Sequence, residues 1–228
     1  MVSNFDFLKK DFPVLSNFGE MAEKYCYSDS NSCLMKLGMI GETIVNLMFT
    51  YDRIAFPHDN TAVARIDKLS REGLLTSDLV AILHGLRKVR NKAVHENYAS
   101  IADDKTFLPM AHSLCEWFMQ TYGDWNYSHK DFVMPEENTV LGTVDKEAEE
   151  KKESELTKLA EQMAAAAPII EQTERKKQAY KAANQRPKTE AETRFLIDEQ
   201  LRMVGWDADT ENLRYSKGTR PTKGRNLA

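Results

Sequence analysis

Apolar residues recur at helical spacing along most of the first 125 positions. Leu15, Phe18, Met21, Ala22 and Tyr25 share one face and predict a helix from Phe12 to about Cys26. The DSNS stretch at 29–32 supplies N-caps for a second helix carrying Leu34, Leu37, Ile40, Ile44, Leu47, Met48 and Tyr51. A shorter third helix follows Asn60, presents Val63, Ile66 and Leu69, and stops near Gly73. LTSD at 75–78 opens a fourth, with Leu79, Ile82, Leu83, Leu86, Val89, Ala93 and Val94 inward. A fifth begins near Asp103–Asp104 and turns Phe107, Leu114, Cys115, Phe118 and Tyr122 to the core. Strong period-two alternation is lacking, so residues 1–142 predict an all-α bundle.

The pattern then changes twice. WNYSHKDFVMPEENTVLGT at 125–143 has no helical period and predicts an ordered strap laid over the bundle. From Val144 to about Arg186, helix formers dominate, with nine acidic and nine basic residues between Asp145 and Arg186. Only Leu156, Leu159, Met163, Ile169, Ile170 and Tyr180 offer apolar anchors there, too few for a long coiled coil. Pro168 interrupts the run, because it lacks a donor and clashes with the preceding turn. Residues 143–187 therefore predict a charged linker in two helical pieces, a spacer or docking arm. Residues 188–228 become domain-like again. Thr189 caps a helix bearing Phe195, Leu196, Ile197, Leu201 and Val204, which ends at Gly205 with Trp206 beyond, and Leu213–Tyr215 predict a short strand. One helix and one strand cannot form a core of their own. The expectation is that more chain follows.

Composition narrows the function classes. Of the 228 residues 42% are hydrophobic and 29% charged, with a net charge of −4, so no global basic field announces a nucleic-acid partner. The three cysteines, Cys26, Cys33 and Cys115, lack metal-ligand spacing and read as buried free thiols of a reducing cytosol. The N-terminus lacks a signal peptide's apolar core, and no run approaches the ~20 apolar residues of a membrane span. A cytoplasmic protein without a membrane partner is expected.

The ending carries a resemblance. Glu190-Ala191-Glu192-Thr193-Arg194, Ile197-Asp198, Leu201, Gly205-Trp206, and Leu213-Arg214-Tyr215-Ser216-Lys217-Gly218 followed by Arg220-Pro221 resemble the start of the nuclease domain in the restriction subunit of type I restriction–modification enzymes. The first 140 residues, with LRKVRNKAVHE at 86–96, are similar to that subunit's helical N-terminal extension. The resemblance implies an incomplete α/β restriction-endonuclease-like domain, of which this chain holds only the first helix and strand. It further implies that the intact subunit translocates and cleaves DNA with Mg²⁺ and ATP, beside methylation and specificity subunits. In such a centre two carboxylates and a lysine bind metal to activate water. Glu192 matches the glutamate that joins the cluster from the first helix; otherwise it is an exposed carboxylate suited to a helix N-terminus. The family's next elements after that helix and strand, the Asp and the Glu-x-Lys, are absent, and no glycine forms the G-x-x-x-x-G-K-[ST] of a phosphate loop. No cofactor and no catalysis are therefore expected of these residues alone. Arg214, Lys217, Arg220, Lys223 and Arg225, with no acid among them, form a candidate phosphate-contacting loop or a plain solvated one.

The helical domain is also similar to the HEPN superfamily, whose active members carry Arg-x(4–6)-His. Arg90-Asn91-Lys92-Ala93-Val94-His95 fits that pattern. The resemblance implies a homodimer whose paired motifs cleave RNA without metal, the histidine deprotonating a 2′-hydroxyl and the arginine supporting the phosphate. Geometry opposes it on a single helix, where five positions set Arg90 and His95 about 140° apart while Asn91 and His95 share a face. The alternative is that Asn91 and His95 cap or bridge neighbouring helices. His58, His84, His112 and His129 are scattered, and Trp117, Trp125 and Trp206 read as core anchors.

Overall fold

The computed structural model describes residues 2–137, 145–209, 213–220, 222 and 224–227. The protein is mainly α, with eight α-helices and no strand among the described residues. They are α1 (Pro13–Tyr25), α2 (Ser30–Tyr51), α3 (Ala62–Arg71), α4 (Ser77–Glu96), α5 (Ile101–Tyr122), α6 (Lys146–Ala166), α7 (Gln172–Gln185) and α8 (Glu190–Met203). They form two compact units, Met1–Arg186 and Pro187–Ala228.

Helix ends follow local chemistry. Pro13 opens α1, where its missing N–H costs nothing. Asp29, Thr61 and Ser100 cap α2, α3 and α5 through their side chains. The α4 helix closes at Asn97, whose φ of 49° is left-handed. Asn31 then donates from its side chain to the carbonyls of Ala93 and Tyr98, at 2.8 and 2.9 Å. That capping role falls to Asn31 rather than to Asn91 or His95.

α2 is the central helix of the first unit, packed by α1, α4 and α5 and in part by α3 and α6. By length and composition it could cross a membrane, but two-thirds of its apolar window is buried within the protein, as in a core helix. Gly38 and Gly41 lie on the side facing α4: a Cβ at Gly38 would overlap the Arg90 side chain, whereas one at Gly41 would meet Leu86 only in ordinary contact. Two expected core positions turn outward, Val63 and Val94. Val94 sits one residue past Ala93, and a 100° step carries it off the buried stripe.

The strap is observed over its described part, up to residue 137; positions 138–143 lie outside the described residues. Gln120 donates to the Tyr127 carbonyl at 2.8 Å, the Lys130 amide donates to Glu116 at 2.9 Å, and Asn4 exchanges bonds with both backbone groups of Val133. The anchor is Glu116, buried on α5, which also receives His129 and, at 3.2 Å, the Tyr127 hydroxyl. Burial raises the Glu116 pKa, opposed by the Lys130 amide and His129.

Beneath the strap His112 packs edge-on to Phe5 and Phe7, and burial lowers its pKa to about 4. The folded state thus refuses a proton that the unfolded chain accepts from about pH 6.5 downward. Stability from this group is whole above pH 6.5 and falls as the pH drops towards 4, by roughly 3 kcal/mol. Urea unfolding of the wild type and of His112→Gln should show their stability gap narrowing by about that amount between pH 7 and pH 4. A gap independent of pH would mean that His112 is not held neutral.

The charged stretch from Asp145 to Arg186 differs from expectation. Pro168 does divide it, with α6 ending at Ala166 and α7 beginning at Gln172. Yet both pieces pack on the bundle, α6 on α1 and α2, and α7 on α5, so this is no spacer. The expected anchors Leu159, Met163, Ile169 and Tyr180 are exposed. Ala160, Ala164, Ala179 and Ala182 are buried instead, where small side chains let the backbones approach. Charged groups complete the joint. Lys36 of α2 reaches Glu149 at 2.5 Å and also Glu153. Arg53 donates to the carbonyls of Ala164 and Ala165, satisfying the last turn of α6. Arg175, 1% exposed, meets Asp52 at 3.1 Å, donates to the Thr121 carbonyl, and lies 4.3 Å over the Tyr122 ring. The Trp117 indole donates to the Ala179 carbonyl at 3.0 Å.

In the second unit, Thr189 caps α8 and Gly205 reverses the chain at φ 84°, as read from the sequence. The Trp206 amide bonds to the Leu201 carbonyl at 3.0 Å. Trp206 is itself substantially exposed, not a core anchor, as are Ile197 and Val204, while Leu196 is buried. The expected strand at Leu213–Tyr215 is not formed. A strand needs a partner for its backbone groups, and here the chain satisfies them locally in a 3₁₀ turn at Tyr215–Lys217. The Lys217 and Thr219 amides both bond to the Arg214 carbonyl.

Candidate functional site: an arginine-lined groove beside α4

The RKVRN stretch of α4 borders a groove of about 400 Å³ between α2, the start of α3 and α4. Gly41 and Val45 form part of its apolar floor, and Arg65, Arg87, Arg90, Asn91, Glu42 and Asn46 supply its polar atoms. Arg90 lies across Gly38 and faces the Glu42 carboxylate at 3.4 Å. Arg65 donates to Asn46 and Asn60, both at 2.8 Å, and stacks 5.1 Å from the Phe56 ring centroid. The Nε of Arg87 is buried without a hydrogen-bond partner. Three guanidinium groups against one carboxylate make the groove cationic. It suits an acidic side chain or a phosphate, which guanidinium binds in a planar fork.

Among the described residues no histidine or cysteine lines the groove, and the Thr61 hydroxyl accepts from the Ala64 amide at 3.2 Å. Arg90 is in the groove, whereas His95 is exposed at the end of α4 and does not line it. The structure therefore does not bring Arg90 and His95 together in this groove. Sequence spacing showed Arg87, Arg90 and Asn91 but missed Glu42 and Asn46, which join them because α2 packs against α4, and Arg65, which α3 brings by packing on α4.

The remaining expected positions lie in the second unit. Glu192 is 1% exposed, which overturns its reading as an exposed first-turn carboxylate. Glu192 matches only the additional first-helix glutamate of a restriction-type centre, and the Glu-x-Lys that would supply a carboxylate and the lysine does not follow it in this sequence. One carboxylate without those partners does not fit Mg²⁺. Arg214, Lys217 and Arg220 are exposed, and Lys223 lies outside the described residues. Arg225 pairs with Asp207 through Nη2 at 2.6 Å and Nε at 2.8 Å, beside the bond from the Asp207 amide to the Asn226 carbonyl. Both side chains of this pair remain about half exposed.

Residues 20–158 match the family described as a domain of unknown function, DUF4145, and the chain belongs to that family. The match takes in α2 to α5, the groove and most of α6. Over 281 aligned positions the chain is 27% identical to the type I restriction enzyme EcoKI endonuclease subunit of Escherichia coli strain K12. The alignment covers 99% of this chain and 24% of that subunit, so the chain spans about a quarter of the relative's length. It is a distant relation to a type I restriction subunit. No solved structure matches.

Proposed function

We propose that the chain is the N-terminal docking part of a type I restriction endonuclease subunit, with a HEPN-like bundle leading into the first elements of the nuclease domain. The observation that carries this reading is the alignment of 99% of the chain with one stretch of an endonuclease subunit. The groove supports docking, because it offers three guanidinium groups for an acidic partner and no histidine or cysteine among its described lining residues. In this reading DNA translocation and cleavage, with ATP and Mg²⁺, belong to modules beyond these residues. The buried Glu192 would join the nuclease cluster only beside them. The exposed Arg214, Lys217 and Arg220 would contact phosphate, in a cytoplasmic complex with DNA and the methylation and specificity subunits.

Docking is tested by size-exclusion chromatography of the chain with the methylation and specificity subunits of the same restriction system. Co-elution is expected, and replacing Arg87 and Arg90 with glutamate should abolish it without loss of helicity. Separate elution at micromolar concentrations of all partners would contradict the reading. The metal-independent ribonuclease is the weaker reading, since His95 does not line the groove that holds Arg90. It predicts RNA cleavage in EDTA that His95→Ala removes.

A further inference from the structure

Cys26 and Cys33 look unrelated in the sequence, with Asp104 some 70 positions further on. The fold brings all three together. Cys26 follows the last turn of α1, Cys33 lies in the first turn of α2, and Asp104 lies in the first turn of α5. Their two sulfurs and one carboxylate oxygen lie within 4.8 Å of one another, and each residue is 0% exposed. Both Asp104 oxygens are buried without a hydrogen-bond partner of good geometry, an arrangement that costs stability unless something else satisfies them.

We propose that Cys26, Cys33 and Asp104 bind a thiophilic divalent cation, Zn²⁺ foremost, as a structural site joining α1, α2 and α5. Two thiolates and a carboxylate are a borderline-soft donor set that suits zinc and does not suit Mg²⁺ or Ca²⁺. Zn–S bonds of about 2.3 Å hold tetrahedral sulfurs about 3.8 Å apart, so closure needs a shift of at most about 1 Å. The N-termini of α2 and α5 both end at the cluster, and their amide dipoles favour the anionic ligands that a metal requires. The Ser30 hydroxyl, which accepts from the Ser100 amide at 2.7 Å, lies beside Asp104 as a further oxygen. The cluster is closed to solvent, so the ion would enter as the chain folds. Cys115, buried elsewhere on α5, is not part of the cluster and serves as the internal control.

The test uses the full chain, purified under reducing conditions without chelator. Elemental analysis should find one zinc per chain. Cobalt supplied while the metal-free chain refolds from urea should give the near-ultraviolet thiolate-to-cobalt charge-transfer absorption, saturating at one equivalent per chain. Cys115→Ser should keep both signals, while Cys33→Ser and Asp104→Asn should lower cobalt affinity at least tenfold. Should those variants fail to fold by circular dichroism, the wild-type cobalt titration decides alone. Absence of zinc together with absence of the charge-transfer band would overturn the proposal, leaving a pair of buried thiols beside an acid. Equal loss of signal in Cys115→Ser would overturn it as well.

Discussion

Arg175→Ala should destabilise the protein by about 3–5 kcal/mol, the cost of stranding a buried charge. The reason lies in what remains. Asp52 is buried at the end of α2, where burial already raises its pKa against the pull of the Tyr122 hydroxyl and Arg175. Without the guanidinium it keeps one bond, from Tyr122 at 2.6 Å, and the Thr121 carbonyl loses one of its two side-chain donors, keeping the Trp125 indole at 3.1 Å. Arg175 comes from α7, in the segment that reads as a spacer, so the experiment also asks whether that segment belongs to the fold. Urea unfolding measures it. The double replacement Asp52→Asn with Arg175→Met removes both charges and should recover part of the loss. A loss under about 1 kcal/mol, the value of an exposed ion pair, would mean that α7 is only loosely attached.

Lys36→Met should cost about 3 kcal/mol near pH 7, by the same logic. It leaves Glu149 and Glu153 facing each other one turn apart on α6 with no cation between them. Their side chains are only 10% and 8% exposed. Hydrogen bonds from Lys36 and the Tyr25 hydroxyl hold the Glu149 pKa below its usual value, whereas burial raises that of Glu153. With Lys36 gone, one of the two carboxylates takes a proton more readily. The penalty is therefore largest at neutral pH and shrinks as the pH falls towards 5. Hydrogen exchange should quicken along α6 and stay unchanged in α7. Equal quickening in both would show that they detach as one piece.

These two joints show where sequence reading stops. The five bundle helices were legible because each repeats large apolar residues at 3.6-residue spacing, and α2 opens at a cap, Asp29, within the stretch the sequence offered; the caps Thr61 and Ser100 were not singled out. The docking of α6 and α7 was not legible, because alanines and paired charges carry it. A lysine at position 36 and glutamates at 149 and 153 look like surface residues until the fold sets them 2.5 Å apart. The groove was half legible. Arg87, Arg90 and Asn91 share one stretch of helix, whereas Arg65 and Glu42 reach it from other elements. The Cys26, Cys33 and Asp104 cluster was hidden for the same reason, since sequence spacing does not reveal which helix ends converge. The expected strand at Leu213–Tyr215 failed in the opposite way: its residues favour extended backbone, but pairing decides whether a strand forms.

The proposed place of this chain at the start of a restriction endonuclease subunit is tested most directly by reading the source gene beyond codon 228. An uninterrupted frame is expected, into an apolar strand carrying an aspartate, then Glu-x-Lys, then the Walker-type loop of a DNA translocase. A stop codon directly after Ala228 would contradict the proposal.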